Sequence, residues 1–318
     1  MRYQLLLAGF GLLAACQRSP EPQPATNASG DALAAFYAHY GAKAQYFTYN
    51  PQRVDVFRTA GGGALATGSQ AFLTIASSVP APGLLQLEVR EISTKADMLL
   101  SGRPSMAQNA ILESGGQYLV QASTADHQLL WLSPRVKLGL SVSTPPQLTS
   151  PYGLFIYTPS QPGNPNVVWQ LATDTASSVR PSTPLAAADP VYLRCLIGKG
   201  LYDSNGGWLC FAHPLYARNA PTTVHVRTNE PVAADNSVVY LVFNDYNAVA
   251  QFTPLGKGDY TLANVPEQAA VTVFALCSAA GKLYLGQRAD TIRAGQQLAV
   301  TLTERTPEEV AAAARLLH

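Results

Sequence analysis

Charged residues are scarce in this chain, and neither sign of charge prevails. Lysine, arginine, aspartate and glutamate make up 13% of the 318 residues, about half of the roughly 25% that is usual in globular proteins. The 21 basic side chains nearly balance the 20 acidic ones, and runs of like charge are absent. Without an excess of positive charge the protein has no field that would attract a phosphate backbone. The composition therefore argues against nucleic acid as a partner.

Long apolar runs are also missing. The run at residues 5–15 is shorter than the roughly 20 residues that a membrane-spanning helix needs. Arg2 precedes it, and it ends in the lipobox Leu13-Ala-Ala-Cys16, so the segment has the form of a bacterial lipoprotein export signal. We predict a signal peptide over residues 1–15 and a mature chain that begins at Cys16. Acyl chains on Cys16 would attach it to a membrane, with about 0.8 kcal/mol from each buried methylene.

The chain has only four cysteines, and the lipid accounts for Cys16. Export would place Cys195, Cys210 and Cys277 in an oxidising compartment. A disulfide between Cys195 and Cys210 would close a loop of about 15 residues and contribute roughly 3 kcal/mol. Cys277 continues the period-two series Val271, Val273 and Ala275, as a small buried core residue does. The alternative is that all three are simply buried thiols.

Motifs of common enzymes are absent from the sequence. Neither the Gly-x-Ser-x-Gly turn of serine hydrolases nor the His-Glu-x-x-His zinc motif occurs. Segment 61–68 is rich in glycine but lacks the lysine of a phosphate loop, so a hairpin turn is the better interpretation. Cys195, Cys210 and His213 could be zinc ligands, but a fourth ligand is not evident, which favours a packed strand with a surface histidine. His225 alternates with valines and is expected to face solvent.

Two further groups of residues could bind or cleave a sugar. Acids at positions 88, 91, 97 and 113 could serve glycoside hydrolysis. Alternation turns Glu88 toward solvent, and Glu91 is expected to pair with Arg90 or Lys95, so a salt-bridged surface explains these acids better. The aromatics Tyr152, Phe155, Tyr157 and Trp169 could form a platform that stacks on a glycan, although aromatics in sandwiches more often belong to the core.

Beyond residue 45 the hydrophobic pattern has a period of two, as in Leu85-Gln-Leu-Glu-Val-Arg90. Short alternating segments separated by turn clusters, such as Gly61-Gly-Gly63 and Ser114-Gly-Gly116, predict antiparallel β-sandwiches. Two short helices flank them. Asp31 caps the first, which Gly41 ends, and Thr306-Pro-Glu-Glu309 opens the second, which is expected to run through Leu317. The remaining strand segments are expected at 53–56, 118–122, 223–227, 237–243, 271–277 and 298–302.

The predicted organisation after the signal peptide has four parts. Residues 16–30, rich in Pro, Ser, Ala, Asn and Gln, form a flexible tether. Residues 31–145 form the first sandwich with its helix, and the Pro-rich break at residues 143–146 marks its end. Residues 146–305 form a second β-rich region, a hairpin segment over 146–189 followed by a sandwich over 190–305. Residues 306–318 form the terminal helix.

Two blocks of this sequence resemble a family of uncharacterised cell-envelope lipoproteins of the Bacteroidetes type. The blocks comprise residues 85–102 with 111–122, and residues 206–210 with 238–247, Asn264-Val-Pro266 and Gly281-Lys-Leu-Tyr-Leu285. Relatives typically have Gly-Trp-Ile-Asn-Cys-Asp where this chain has Leu209 in place of Ile-Asn and Phe211 in place of the acid. The resemblance implies immunoglobulin-like (Ig-like) sandwiches, giving a mainly β protein of two such domains. It implies no activity, ligand or cofactor.

These patterns lead to a functional hypothesis. We expect a lipid-anchored, non-enzymatic protein of the cell envelope that binds or scaffolds a protein or glycan partner. The sequence Gln17-Arg18-Ser19-Pro20 lacks the acids of surface-exported relatives, which favours the periplasmic face, and surface exposure stays open. Gln17 in place of aspartate favours delivery to the outer membrane. The alternatives are a carbohydrate-binding surface lipoprotein of a nutrient-uptake system and a hydrolase without a recognisable motif.

Overall fold

The protein is mainly β, as predicted. The computed structural model describes residues 31–107, 110–143, 153–158, 168–173, 175–181, 192–203, 208–215, 220–229 and 236–317. Of these residues, 54% lie in strands and 13% in helices. Among these residues, no helix combines the length and the apolar character needed to cross a membrane. The predicted signal peptide, Cys16 and the tether lie outside the described residues.

The elements follow one another along the chain in the order of their numbers. The helices are α1 (Asp31–Tyr40), α2 (Lys95–Leu100), α3 (Lys199–Asp203) and α4 (Pro307–Arg315). The strands up to Pro214 are β1 (Gln45–Tyr49), β2 (Asp55–Arg58), β3 (Ala64–Thr67), β4 (Phe72–Thr74), β5 (Leu85–Ile92), β6 (Met106–Ala107), β7 (Ala110–Ser123), β8 (Leu130–Leu132), β9 (Leu138–Ser143), β10 (Gly153–Thr158), β11 (Val168–Leu171), β12 (Ser178–Pro181), β13 (Tyr192–Ile197) and β14 (Trp208–Pro214). The later strands are β15 (Pro221–Thr228), β16 (Ser237–Phe243), β17 (Val249–Gln251), β18 (Thr253–Gly256), β19 (Asp259–Pro266), β20 (Ala270–Ala279), β21 (Lys282–Thr291), β22 (Gln297–Val300) and β23 (Thr303–Arg305).

Within the described ranges these strands form five sheets. Sheet A has the order β1-β5-β7-β14-β10-β11-β6, and sheet B has the order β12-β13-β9-β3-β2. Sheet C is the β4-β8 pair, sheet D is β18-β19-β15-β22, and sheet E is β17-β16-β20-β21-β23. Neighbouring strands are antiparallel except at β6–β11 and β15–β22. This is the arrangement expected for short alternating strands joined by turns.

Sheets A and B enclose the first core, and from here on we call this pair of sheets the first sandwich. On β5, Leu85, Leu87 and Val89 are buried while the residues between them are half-buried, which confirms the predicted alternation. Their partners in this core come from both sheets and include Tyr118, Val120, Leu138, Leu140, Cys195, Ile197 and Phe211.

Sheets D and E enclose the second core, and we call this pair of sheets the second sandwich. Val271, Val273, Ala275 and Cys277 of β20 all belong to it, so the prediction that Cys277 is a small core residue is confirmed. His225 on β15 is exposed between two buried valines, also as predicted.

The sheets divide the chain later than the expected boundary at 145. Strand β9, before that boundary, pairs with β13, after it, in sheet B. Strands β10, β11 and β14 all lie in sheet A, so neither the hairpin segment 146–189 nor the start of the region 190–305 is separate from the first sandwich. The chain passes from sheet A to sheet D between Pro214 and Pro221. The Pro-rich break at 143–146 begins at the last residue of β9, and the strands before and after it belong to the same two sheets.

A third core joins the two sandwiches, and we call it the shared core. It combines the outer face of sheet A, the outer face of sheet E and three helices. Sheet A contributes Ile92, Leu112, Leu119, Trp169 and Trp208, sheet E contributes Tyr240, Val242, Phe274, Leu276 and Leu285, and the helices contribute Leu33, Phe36, Met98, Leu99, Val310 and Ala314. Because each sandwich exposes an apolar face to the other, the two pack as one body.

Hydrogen bonds cross the same junction. The Ser105 amide donates to the Val249 carbonyl at 2.8 Å, and the Ser114 amide donates to the Asn247 carbonyl at 2.9 Å. The Asn247 side-chain amide donates in turn to the carbonyls of Ser114 at 2.8 Å and Ser93 at 3.0 Å. Asn247 thus fixes the turn between β16 and β17 against sheet A.

Both predicted terminal helices are confirmed. Helix α1 ends where the Gly41 amide donates to the Tyr37 carbonyl at 2.9 Å. Helix α4 begins with a capping box, in which the hydroxyl of Thr306 accepts from the amide of Glu309 at 3.2 Å and the Glu309 carboxylate accepts from the Thr306 amide at 2.8 Å. Helices this short are marginal alone, and each docks on the shared core through buried side chains such as Phe36. Helix α4 ends at Arg315, slightly before the expected Leu317.

Two local expectations were wrong. Val54 and Val56 are 68% and 63% exposed, and it is Phe57 that packs, with its ring centroid 5.3 Å from that of Phe47. The segment does alternate, but the face that carries Phe57 turns inward and the face that carries the valines turns toward solvent. The expected turn around Gly116 is instead inside β7, where Gly116 has φ +133° and the pairing with β14 shifts register.

Candidate functional site

The predicted aromatic platform is not available to a ligand at Trp169. The Trp169 side chain is fully buried in the shared core, and its indole N–H donates to the carbonyl of Pro104 at 2.9 Å. Phe155 and Tyr157 lie on β10, of whose side chains nothing is described, and Tyr152 lies outside the described residues. Trp169 is therefore a core aromatic, which was the alternative interpretation of these residues.

The predicted disulfide between Cys195 and Cys210 is not formed in the structure. Both thiols are free and buried, on strands of different sheets. Cys195 points into the first core, whereas Cys210 lies between Leu209 and Phe211 and points out of that core into the shared core. Strand alternation thus puts the two thiols on opposite sides of sheet A. Burial raises the pKa of each thiol to about 12, so both stay protonated and unreactive.

The predicted acids do not converge on one site. Glu88 accepts from the guanidinium of Arg90 at 2.7 Å. Glu91 accepts from the Gly61 amide at 2.9 Å, instead of pairing with Arg90 or Lys95 as expected. Asp97 caps α2 by accepting from the Thr94 amide at 3.1 Å, and Glu113 lies beside His213. Each acid therefore has a local structural partner.

His213 is not the surface histidine that we expected. Only 7% of the residue is exposed, and its Nε2 lies 3.2 Å from a carboxylate oxygen of Glu113. Its Nδ1 lies 3.0 Å from the carbonyl oxygen of Pro214. The hydrogen bond to Glu113 raises the pKa of His213, and burial opposes this rise. Within the described residues, no group of three or more His, Cys, Asp or Glu side chains could hold a metal ion.

The raised pKa of His213 predicts how stability changes with pH. An unfolded histidine titrates near pH 6.5, so the folded state holds the proton more tightly than the unfolded one. The stabilisation is complete below about pH 6.5 and is lost as the pH rises through the raised pKa of the folded protein. We expect the free energy of unfolding to fall over that interval in urea titrations. His213→Gln should flatten this dependence, whereas replacing the exposed His225 by glutamine should not. An unchanged slope in His213→Gln would contradict the assignment.

One groove exposes groups that could contact a ligand, and we call it the Tyr46 groove. It has a volume of about 380 Å³ and is lined by Tyr46, Gln86, Glu88, Gln121, Ser123, His127 and Leu129. Tyr46 is 58% exposed on the edge strand β1. Sequence reasoning placed Glu88 on the solvent face but missed the groove, because the pairing of β1 with β5 and of β5 with β7 cannot be read from alternation alone.

A wider groove of about 630 Å³ lies between α1 and α4. Its charged groups are largely paired with one another. Lys282 contacts Glu304 at 2.9 Å, Arg305 contacts Glu309 at 3.7 Å, and Tyr40 donates to Glu308 at 3.0 Å. The last two pairs join α4 to β23 and α1, and the first joins β21 to β23, so these charged groups have structural partners without a ligand.

Comparisons with known proteins add little to this geometry. No family model and no curated protein matches the chain. Among solved structures, a gamma-CGTase from Alkalophilic bacillus clarkii matches at 10% identity with a TM-score of 0.21, over 86% of this chain and 42% of the other. A bacterial adhesin from Mobiluncus mulieris, which contains intramolecular disulfide, isopeptide and ester bond cross-links, matches at 9% identity with a TM-score of 0.19, over 83% of this chain and 100% of the other. TM-scores this low support no inference about fold or function.

Proposed function

We propose that this protein is a non-enzymatic lipoprotein of the cell envelope that binds or scaffolds a partner. The observation that carries the proposal is the export signal that ends in Leu13-Ala-Ala-Cys16. The local pairing of the predicted acids supports a binding role over hydrolysis. The burial of the Cys195 and Cys210 thiols supports it over thiol catalysis.

We also propose a fold type, a family and a membrane location for this protein. We take the two sandwiches to be Ig-like and the chain to belong with the Bacteroidetes-type lipoproteins that its two sequence blocks resemble. Residues 17–20 lack acids, which supports an anchor in the outer membrane with the body toward the periplasm. The predicted tether over residues 16–30 would hold that body off the bilayer.

A carbohydrate-binding surface lipoprotein of a nutrient-uptake system is the second candidate function. The observation that favours it is the Tyr46 groove, in which an exposed aromatic ring lies beside amide, hydroxyl and carboxylate groups. Convergent polar groups around an apolar surface are typical of small-molecule sites.

Replacing Cys16 by serine tests the anchor. We expect the wild-type protein to sediment with membranes and Cys16→Ser to stay in the soluble fraction, because the serine hydroxyl cannot carry the thioether-linked lipid. Ser19→Ala, a change close by that leaves the lipobox intact, serves as the matched control and should sediment like the wild type. Membrane sedimentation of Cys16→Ser would overturn the proposal.

The mass of the mature amino terminus gives an independent reading. We expect the wild-type peptide to begin at Cys16 and to carry the mass of the acyl chains. An unmodified Cys16 would contradict the anchor even if the serine variant were poorly produced.

A further inference from the structure

The outer face of sheet A changes from apolar to polar along β5 and β7. Ile92 and Leu119 on this face are buried in the shared core. On the same face, Glu88 and Gln121 extend beyond that core and line the Tyr46 groove. The opposite face of the same strands is fully used by the first core. The polar half of the outer face therefore lines a groove and does not enter a core.

Strand register arranges the uncovered residues in two rows. Tyr46 lies opposite Glu88, and Glu88 lies opposite Gln121, so these three form one row across β1, β5 and β7. Gln86 lies opposite Ser123 in the next row. Neighbouring strands are about 4.8 Å apart, so the first row spans roughly 10 Å. That length suits a disaccharide unit lying across the strands.

The polar groups of the two rows match hydroxyl groups better than charges. The Gln86 side-chain amide and the Ser123 hydroxyl can each donate and accept hydrogen bonds. Glu88 uses one oxygen toward Arg90 at 2.7 Å, and a carboxylate has further lone pairs to offer. Because Arg90 balances Glu88, the groove presents no net charge to a ligand.

The loop after β7 closes one side of the groove. Ser123 forms an isolated bridge with Leu129, and His127 holds a left-handed conformation with φ +60° in the turn between them. This turn is fixed by the His127 amide, which donates to the Thr124 carbonyl at 3.0 Å. The imidazole of His127 thereby lines the groove from a defined position.

We propose that the Tyr46 groove binds a neutral oligosaccharide. The exposed Tyr46 ring stacks on the C–H face of one sugar, and the amide, hydroxyl and carboxylate groups of the two rows bond the hydroxyls at its edge. An anionic ligand is disfavoured because the groove, with Glu88 balanced by Arg90, offers it no net positive charge. This inference rests on the binding role proposed above and names its ligand class.

A glycan array with the full mature chain in detergent tests the inference. The array carries neutral and anionic oligosaccharides from storage and structural polysaccharides, and a second arm carries glycans released from the envelope of the producing cell. We expect retention of at least one neutral glycan, and the arm on which it occurs identifies the source. Retention of anionic glycans alone, or of none, would overturn the proposal.

Two variants localise the binding. Tyr46→Ala removes the stacking surface and should weaken retention of the same neutral glycan by about tenfold. Tyr246→Ala is the matched control, since Tyr246 is also exposed, at 39%, but lies in the turn between β16 and β17 of the other sandwich. Equal retention by wild type and Tyr46→Ala would place the site elsewhere and overturn the proposal.

The outcome is separable from that of the proposed function. A protein that is lipidated at Cys16 but retains no neutral glycan would remove the ligand and leave the anchored role. Glu88 and His127 line the same groove. Cleavage of the bound oligosaccharide during incubation would therefore contradict the non-enzymatic role.

Discussion

Trp169→Ala should lower the free energy of unfolding by about 3–5 kcal/mol. The Trp169 side chain is fully buried in the shared core and is shielded from solvent. Truncation removes its packing and leaves the Pro104 carbonyl without the indole N–H that donates to it at 2.9 Å. Urea unfolding followed by far-ultraviolet circular dichroism would measure the loss.

Two further variants separate packing from hydrogen bonding at this position. Trp169→Phe keeps most of the buried ring and loses only the donor, so we expect a smaller loss of about 1–2 kcal/mol. Tyr246→Ala removes an exposed ring and should change stability by no more than about 0.5 kcal/mol. If Trp169→Ala were as stable as the wild type but bound glycan less well, the ring would be a ligand platform after all.

Local features of the fold could be predicted from the sequence because their causes are local. The capping box at Thr306 and Glu309 involves groups within a single turn, and the alternation of Leu85, Leu87 and Val89 directly reports which face of a strand is buried. The glycine-rich sequence predicted the turn around Gly62, where the backbone has a φ of +88° that glycine adopts readily. These elements lie where the sequence placed them.

Features that depend on distant parts of the chain could not be predicted. The partners of β9 and β14 lie far away in sequence, so the Pro-rich segment after β9 looked like a boundary between domains, although strands on both sides of it share sheets A and B. Alternation around Val56 does not say which set of side chains faces the core, and Phe57 took the inward position because Phe47 packs against it. The Tyr46 groove needs three strands in register, and no single segment carries that information.

Lys95→Met should lower the free energy of unfolding by about 2 kcal/mol. Lys95 is 6% exposed at the start of α2, and its ammonium donates to the carbonyls of Phe243 at 2.8 Å and Asn244 at 2.9 Å, at the end of β16. Methionine has a similar length but no donor, so both carbonyls lose a partner. Lys282→Met, which breaks an exposed pair with Glu304, is the control and should cost no more than about 0.5 kcal/mol.

The size of the Lys95→Met effect would show how much these two hydrogen bonds contribute to the junction between the two sandwiches. Burial lowers the pKa of Lys95, and Asp245 offsets this only in part, which means that the charge itself opposes folding. Any net stabilisation must come from the two hydrogen bonds, which reach from the first sandwich to the second. A Lys95→Met protein as stable as the wild type would mean that desolvation cancels these bonds. The apolar contacts of the shared core and the backbone bonds around Asn247 would then suffice to fix the junction.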